Sequence, residues 1–569
     1  MKHLLSCLKK YRKEAVLSPL LKLLEVAMEL TVPLVVAAII DVGIAGGDKG
    51  YIIRACLVLA AFGAGGLLFA LIAQYFAAKA AVGTAAELRS RLFHKLDSLS
   101  YSQIDKIGTP QMITRMTSDI NQVQTGVNLT LRLVLRSPLV VFGALALAFV
   151  VDVKAGLVFL AVIPLLAVVV GVVMAIGIPL YRKVQEKLDR VYLSTRENLT
   201  GARVIRAFSL EERENIEFKE RNAALSRSQQ HAGRISALTG PLTFVIVNLA
   251  VIALLYTGAL RVNSGALEQG QVVALYGYMS QILIELIKLA NLIVAVTKAA
   301  SCQKRIGEVL DMPAEPEVLQ EPDGESEQDG EAVRFEHVTF GYGGAHALED
   351  ITFSVKKGET VGVLGGTGAG KSTLISLIPR FYSAEGGSVF VFGEDVNSQP
   401  VEDLRRKVGL VPQRAVLFKG TIRSNLLWGN ETATDEELWT AVRLAQAEDV
   451  VRGKGGLDGV VEQEGKNFSG GQRQRLTIAR ALVKQPEILI LDDSSSALDY
   501  ATDRNLRVAL KTLSCTKFLV SQRASAVMHA DKIAVLDGGK LVGLGNHEEL
   551  IKACEVYREI VSSQTRGQA

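Results

Sequence analysis

Hydrophobic and polar positions divide the chain into two parts with different patterns. In the first 300 residues, long apolar stretches alternate with polar connections, and six of them reach the roughly 20 residues that a helix needs to cross a bilayer. We place the six spans near residues 16–44, 52–80, 132–153, 156–180, 236–261 and 270–299. One such stretch could be a buried core helix of a soluble protein, but six in succession favour a membrane domain.

The connections between these stretches alternate in length and in charge. The short VDVKAG separates the third and fourth spans, whereas the second and third spans, like the fourth and fifth, are about 50 residues apart. The long connections are rich in Lys and Arg and have helical periodicity, so we expect the spans to continue as helices on the cytoplasmic side. This pattern predicts a multi-pass protein of the plasma membrane with a cytoplasmic N-terminus.

The N-terminal segment and the overall composition narrow the class of protein. MKHLLSCLKKYRKE is basic and amphipathic and has no short apolar core with a cleavage site, so it is a poor signal peptide and is more typical of a segment in contact with membrane lipids. With 49% hydrophobic residues and a net charge of only +4, nothing suggests nucleic acid as a partner. The five scattered cysteines have no metal-ligand spacing.

After the spans, the pattern changes twice. Residues 313–332 are acidic, contain Pro and Gly, and have almost no apolar content, which predicts a flexible linker. From Val333 onward, short β-branched runs alternate with helical ones, as in an α/β domain with a largely parallel sheet. We therefore expect a helical membrane domain over 1–312 and a second domain over 333–569.

A glycine-rich segment gives the second domain its chemistry. VGVLGGTGAGKST follows an apolar strand-like run and opens into a helical segment, which is the context of a phosphate-binding loop for ATP. Backbone amides and the helix N-terminus would hold the phosphates, Lys371 would reach the β- and γ-phosphates, and Ser372 would bind Mg²⁺. The loop residues are Gly365, Gly366, Thr367, Gly368, Ala369, Gly370, Lys371, Ser372 and Thr373.

A second strand-like run, EILILDD, ends in two aspartates. Asp492 would orient the Mg²⁺ shell, and Asp493 lies where an ATPase keeps its general base. An acidic strand end is weak evidence by itself, but about 120 residues after a phosphate loop it becomes strong.

The segment NFSGGQRQRLTIARAL resembles the signature of ATP-binding cassette (ABC) proteins. The resemblance implies that Ser469, Gly470, Gly471 and Gln472 contact nucleotide across a dimer interface. It also implies that Tyr342 stacks on adenine and that Gln413 senses Mg²⁺ and contacts the membrane domain. In the membrane part, TPQMITRMTSDINQVQ and ENLTGARVIRAFSLEERE are loosely similar to the two cytoplasmic loops of ABC exporters. One membrane domain and one nucleotide-binding domain make a half-transporter, so the resemblance implies a dimer.

Two catalytic positions depart from the family pattern. Asp493 occupies the place of a glutamate, and Gln522, in KFLVSQRASAV, occupies the place of a histidine. An aspartate carboxylate retreats by roughly 1 Å from the attacking water, and a misplacement of that size can cost about 10²-fold in rate. Glutamine can donate a hydrogen bond to a phosphate but cannot carry the proton of a histidine. We expect ATP binding to survive and hydrolysis to be weak, although a drifted but active site is the alternative.

These departures predict a particular partner. Because ABC nucleotide sites are shared between two chains, a homodimer would contain two weak sites. A different half-transporter that supplies Glu and His would form one competent site with the intact signature of this chain. The asymmetry resembles that of heterodimeric bacterial multidrug exporters. The alternatives are a non-hydrolysing regulatory subunit and an exporter of lipid or peptide.

The sixth span contains two charged residues that bear on the cargo. Glu285 and Lys288 are three residues apart and share a helix face, and charges inside a span usually face a bundle interior or a wet cavity. They are candidates for contact with a hydrophobic or amphiphilic small molecule. The alternative is a pair of charges that neutralises itself.

Overall fold

The structure is a computed structural model that describes residues 2–318, 330–344 and 346–566. It divides into two compact units, the first made of Met1–Asp97 and Gly108–Met312 and the second of Ser98–Ile107 and Pro313–Ala569. Most of the predicted acidic linker, residues 319–329, lies outside the described residues.

The first unit contains six helical segments that are long and apolar enough to cross a membrane. They are Lys2–Ile44, Lys49–Asp97, Thr109–Val151, Val153–Thr200, Glu211–Asn263 and Gln269–Leu310. Five of the predicted spans lie within one segment each, whereas the third, 132–153, runs two residues past the end of its segment at Val151. The six segments have 42 to 53 residues, which at about 1.5 Å per residue is roughly twice the thickness of a bilayer core. The six-span helical architecture predicted from the sequence is therefore confirmed.

Short turns of other helix types interrupt some of these segments. The α-helices of residues 2–310 are α1 (Lys2–Leu8), α2 (Arg12–Ala38), α3 (Lys49–Asp97), α4 (Tyr101–Ile107), α5 (Thr109–Thr114), α6 (Ile120–Leu133), α7 (Arg136–Val151), α8 (Val153–Thr200), α9 (Ala202–Ala207), α10 (Glu211–Ala237), α11 (Thr239–Asn263) and α12 (Gln269–Leu310). Of these, α4 belongs to the second unit and the others to the first. A 3₁₀ turn covers Lys9–Tyr11, and π-helical turns cover Ile39–Ile44 and Arg115–Asp119.

The core of the first unit is built by α2, α7, α8, α11 and α12. Phe159, Leu254 and Tyr278 are fully buried there, and the Tyr278 hydroxyl donates to the Leu30 carbonyl at 2.7 Å. At the start of α8, the Asp152 carboxylate accepts the amide of Ala155, which caps the helix. The Tyr278 hydrogen bond joins α12 to α2, and the Asp152 cap fixes the start of α8.

The second unit is an α/β fold. Its remaining helices are α13 (Lys371–Leu377), α14 (Val401–Lys407), α15 (Ile422–Leu426), α16 (Asp435–Leu444), α17 (Glu448–Gly453), α18 (Gly470–Val483), α19 (Tyr500–Lys511), α20 (Ala524–Val527), α21 (His547–Ala553) and α22 (Glu555–Arg566). Its strands are β1 (Glu331–Gly341), β2 (His346–Lys356), β3 (Thr360–Gly365), β4 (Gly386–Val391), β5 (Glu394–Asp395), β6 (Val408–Val411), β7 (Gly420–Thr421), β8 (Val460–Val461), β9 (Ile488–Asp492), β10 (Thr516–Ser521), β11 (Lys532–Asp537) and β12 (Lys540–Gly545). Two 3₁₀ turns cover Gly456–Asp458 and Gln463–Gly465.

The strands form a six-stranded sheet, a four-stranded sheet and a two-stranded ribbon. The six-stranded sheet has the order β12-β11-β3-β10-β9-β6, and all its pairings are parallel except that of the edge strand β12. Central strands such as β9 read as continuous apolar runs because both faces of the sheet are covered. The predicted largely parallel α/β domain is thus confirmed, with an antiparallel sheet, β2-β1-β4-β5, beside it.

Candidate nucleotide-binding site

The predicted phosphate loop lies between β3 and α13, at the carboxyl end of a central parallel strand. Gly370 has φ +93°, and a Cβ there would lie 2.6 Å from the Ala347 carbonyl oxygen, so the turn requires glycine. Gly368 also has a positive φ, of +80°, and has open space beside it. The loop therefore leaves its backbone amides accessible to an anion in front of the helix N-terminus.

The ammonium group of Lys371 is held inside this loop. Its Nζ donates to the carbonyl oxygens of Gly365 at 2.9 Å and of Gly366 at 2.6 Å. Burial lowers the pKa of Lys371, and the nearby carboxylates of Asp493 and Asp492 act in the opposite direction. The group is a buried cation with only carbonyl partners in the loop, which suits it to a phosphate.

Ser372 and Asp492 meet although they are 120 residues apart. The Ser372 hydroxyl donates to Asp492 Oδ1 at 3.1 Å. Burial raises the pKa of Asp492, and the hydrogen bond from Ser372 partly offsets this. Paired hydroxyl and carboxylate oxygens fit Mg²⁺, a cation that prefers oxygen ligands and few protein groups. Among the described residues there is no cluster of three or more His, Cys, Asp or Glu side chains that could form a metal site of another kind.

The two positions that depart from the family pattern lie at the same edge of the sheet. Asp493 directly follows β9, has a left-handed φ of +43°, and donates its amide to the Val520 carbonyl at 2.9 Å. Burial raises the pKa of Asp493, whereas Arg523, Lys371 and a hydrogen bond with Gln413 lower it. Gln522 follows β10, and its Oε1 accepts a hydrogen bond from the Thr367 hydroxyl at 3.4 Å.

Tyr342 has the exposure that a stacking platform needs. It is 59% exposed, and its hydroxyl lies 3.2 Å from that of Thr373 on α13. Its ring meets Phe340 and Tyr382 edge-on, at centroid distances of 4.9 and 5.3 Å. A cavity of about 880 Å³ adjoins it.

The signature residues form the N-terminus of α18. The Ser469 hydroxyl accepts the amide of Gln472 at 3.3 Å, and the Gln472 side chain accepts the amide of Ser469 at 3.0 Å. A Cβ on Gly471 would lie 2.8 Å from the Ala497 carbonyl oxygen, so glycine allows the loop after β9 to approach this helix. Ser469 and Gly470 are exposed. The helix end is therefore capped, and Ser469 and Gly470 are open at the surface.

In the membrane unit, Glu285 belongs to a buried ionic network. Glu285 is 2% exposed, and its carboxylate accepts from Arg136 at 2.5 Å, Ser137 at 2.8 Å and Lys288 at 2.7 Å. Arg136 also donates to Glu29 at 2.7 Å. In this conformation Lys288 is the more accessible member of the predicted pair, with 43% of its side chain exposed.

The structure thus brings together the phosphate loop, Asp492, Asp493, Gln413 and Gln522. Ser469 and Gln472 hydrogen-bond to each other. Two residues near this site, Arg523 and Gln564, were not among those predicted from the sequence. Arg523 could have been noticed because it follows Gln522 directly, whereas Gln564, which hydrogen-bonds to the backbone around Arg523, has no local sequence signal.

The fold and the site define a class, a helical membrane domain fused to a phosphate-loop ATPase domain. Residues 16–286 match the family model of the ABC transporter transmembrane region, and residues 348–496 match the family model described as ABC transporter. The uncharacterized ABC transporter ATP-binding protein YfiB of Bacillus subtilis is 36% identical over an alignment of 579 positions, which covers 99% of this chain and 98% of that protein. An uncharacterized ABC transporter ATP-binding protein of Mycobacterium tuberculosis is 36% identical over 565 residues, covering 98% and 96%.

A solved structure has the same fold. It is that of a bacterial Atm1-family ABC exporter with ATP bound, with a TM-score of 0.81, 23% identity and coverage of 97% of this chain and 98% of that chain. The chain belongs to the ABC transporter family and has the architecture of a half-transporter.

Proposed function

We propose that the chain is one subunit of an ATP-driven exporter that moves hydrophobic or amphiphilic small molecules, such as drugs, across the plasma membrane. In this proposal residues 1–312 form the transmembrane domain, 313–332 a linker and 333–569 a cytoplasmic nucleotide-binding domain, with the N-terminus also cytoplasmic. The similarity to a solved ABC exporter with ATP bound supports the direction of transport.

The residues at the sheet edge support the proposed binding of ATP. Tyr342 presents an exposed ring that would stack on adenine, the loop amides and Lys371 would face the phosphates, and Ser372 with Asp492 would hold Mg²⁺ together with Gln413. When bound, Mg²⁺ supplies positive charge next to the phosphate oxygens. Ser469, Gly470, Gly471 and Gln472 would complete the nucleotide site of a second chain, because their helix end is capped and open at the surface.

The hydrolytic step is where we expect this chain to be weak. Asp493 has a shorter reach than glutamate, so its carboxylate would lie farther from the attacking water. Burial raises the pKa of this carboxyl, and Arg523 and Lys371 offset the rise only in part. The Gln522 side chain accepts a hydrogen bond from Thr367. Unlike a histidine, it has no titratable nitrogen that could give a proton to a phosphate or take one from it. The site would retain ATP and turn it over slowly.

The observation that carries this proposal is the pair Asp493 and Gln522 at the phosphate loop, in a chain whose phosphate loop and signature keep the family pattern. It favours a heterodimer in which a different half-transporter supplies Glu and His. In the purified pair, Asp493→Asn should lower ATP turnover by less than about twofold, while removing the partner's catalytic glutamate should lower it by about 10²-fold or more. Equal losses from both changes would contradict the heterodimer model.

Vectorial transport separates the exporter from a non-hydrolysing regulatory subunit. Inside-out vesicles that contain both chains should accumulate a fluorescent amphiphilic dye when ATP is added. Vesicles in which this chain is replaced by its residues 313–569 should not, because half of the transport path would be missing. Retained transport would favour the regulatory role, and transport of lipids or peptides alone would change the cargo class.

A further inference from the structure

The last described helix, α22, reaches the segment that carries Gln522. The Gln564 side chain donates from Nε2 to the backbone carbonyl of Gln522 at 2.8 Å. Its Oε1 accepts the backbone amide of Ala524 at 2.9 Å. One side-chain amide therefore holds the backbone on both sides of Arg523, much as a neighbouring strand would.

Gln564 is presented from a packed element. Tyr557, two helical turns earlier in α22, is fully buried against a cluster that includes Val527 and Leu550. Its hydroxyl lies 2.6 Å from Nδ1 of His547. Because α22 is anchored in this way, the two hydrogen bonds of Gln564 restrain the segment at residues 522–524 relative to the domain core.

The restrained segment carries a side chain that reaches the phosphate loop. The Gln522 Oε1 accepts a hydrogen bond from the Thr367 hydroxyl at 3.4 Å. A displacement of about 1 Å in such a group can change an affinity substantially. The position of the backbone at 522–524 therefore matters for this contact.

We propose that Gln564 is a positioning residue that holds Gln522 against the phosphate loop, so that the chain retains ATP in preference to ADP. The inference rests on the proposed nucleotide site. Contacts with adenine and with the α- and β-phosphates are common to ATP and ADP, whereas the position of Gln522 concerns the γ-phosphate. Loss of the Gln564 hydrogen bonds should therefore weaken ATP binding selectively.

The test uses the purified full chain with Mg²⁺ and measures equilibrium binding of radiolabelled ATP and ADP. Gln564→Met keeps the length and packing of the side chain but removes both hydrogen bonds, and Gln564→Glu keeps the acceptor but loses the donor. Each should raise the dissociation constant for ATP about fivefold, as expected for one or two hydrogen bonds, and leave that for ADP unchanged. Ser563→Ala is the matched control, because the Ser563 hydroxyl donates within its own helix, to the Ile560 carbonyl at 3.0 Å.

The outcomes distinguish this inference from the function on which it rests. Equal losses of ATP and ADP affinity, or a lower melting temperature of the nucleotide-free Gln564→Met chain, would indicate a merely structural role and overturn the inference. Unchanged ATP affinity in Gln564→Met would overturn it as well while leaving the nucleotide site intact. If the wild-type chain binds neither nucleotide better than Lys371→Ala does, the proposed function and this inference both fail.

Discussion

At the scale of single residues, the difference between Asp492 and Asp493 carries most of the functional argument. Asp492 has the Ser372 hydroxyl as its partner and a fixed place at the end of β9. Asp493, one position later, has a left-handed backbone, a hydrogen bond with Gln413, and Arg523 and Lys371 as its nearby cations. The two aspartates share Lys371 but have different hydrogen-bond partners, Ser372 for Asp492 and Gln413 for Asp493, which fits different roles for them.

Restoring the two departures should restore hydrolysis. In the chain purified alone, Asp493→Glu combined with Gln522→His should raise ATP turnover by about 10²-fold, because the carboxylate regains reach and the switch position regains a titratable group. The release of inorganic phosphate measures this turnover. The double variant that also carries Lys371→Ala should show no turnover above background. No gain from the double variant would place the limitation elsewhere than in these two side chains.

At the scale of elements, one buried arginine ties separate segments of the second unit together. Arg380 is 2% exposed and donates to the carbonyls of Val396, Gln399, Pro316 and Glu317 at 2.7 to 3.3 Å. Val396 and Gln399 are themselves buried, so water cannot readily replace the guanidinium at their two carbonyls.

Arg380→Met should therefore destabilise the chain by about 3 kcal/mol, the cost of leaving the buried carbonyls of Val396 and Gln399 without this donor. Thermal unfolding of the full chain in detergent measures the effect as a lower melting temperature. Arg406→Ala is the control, because the Arg406 side chain is 74% exposed and pairs only with Asp403 within its helix. Equal melting temperatures for both variants would show that the Arg380 hydrogen bonds contribute little.

The ionic network of the membrane unit is also an element-scale feature, since it joins α2, α7 and α12 through Glu29, Arg136 and Glu285. Glu285→Gln removes the charge that faces Arg136 and Lys288, and breaking a buried pair can cost about 3 kcal/mol. We expect a lower melting temperature in detergent and a smaller effect from the more exposed Lys288→Gln. An unchanged melting temperature together with reduced export of cationic compounds would instead favour contact between Glu285 and cargo.

At the scale of the whole molecule, the sequence predicts what depends on local pattern. The six spans follow from continuous apolar length, and the phosphate loop and the strand before Asp492 follow from short motifs with a fixed local geometry. It does not predict pairs that only folding brings together. Arg136 and Glu285 form a hydrogen bond although they are 149 residues apart in sequence, and Gln564 and Gln522 do so at a separation of 42 residues. No periodicity in the sequence predicts either contact.

We expect this chain to bind ATP but to hydrolyse it poorly by itself. The chain can be purified alone, shown to bind ATP, and assayed for steady-state ATP turnover with and without Asp493→Asn. Turnover should be close to background in both cases, at least about 10²-fold below that of the assembled pair. Robust turnover by the chain alone that is lost in Asp493→Asn would contradict this expectation.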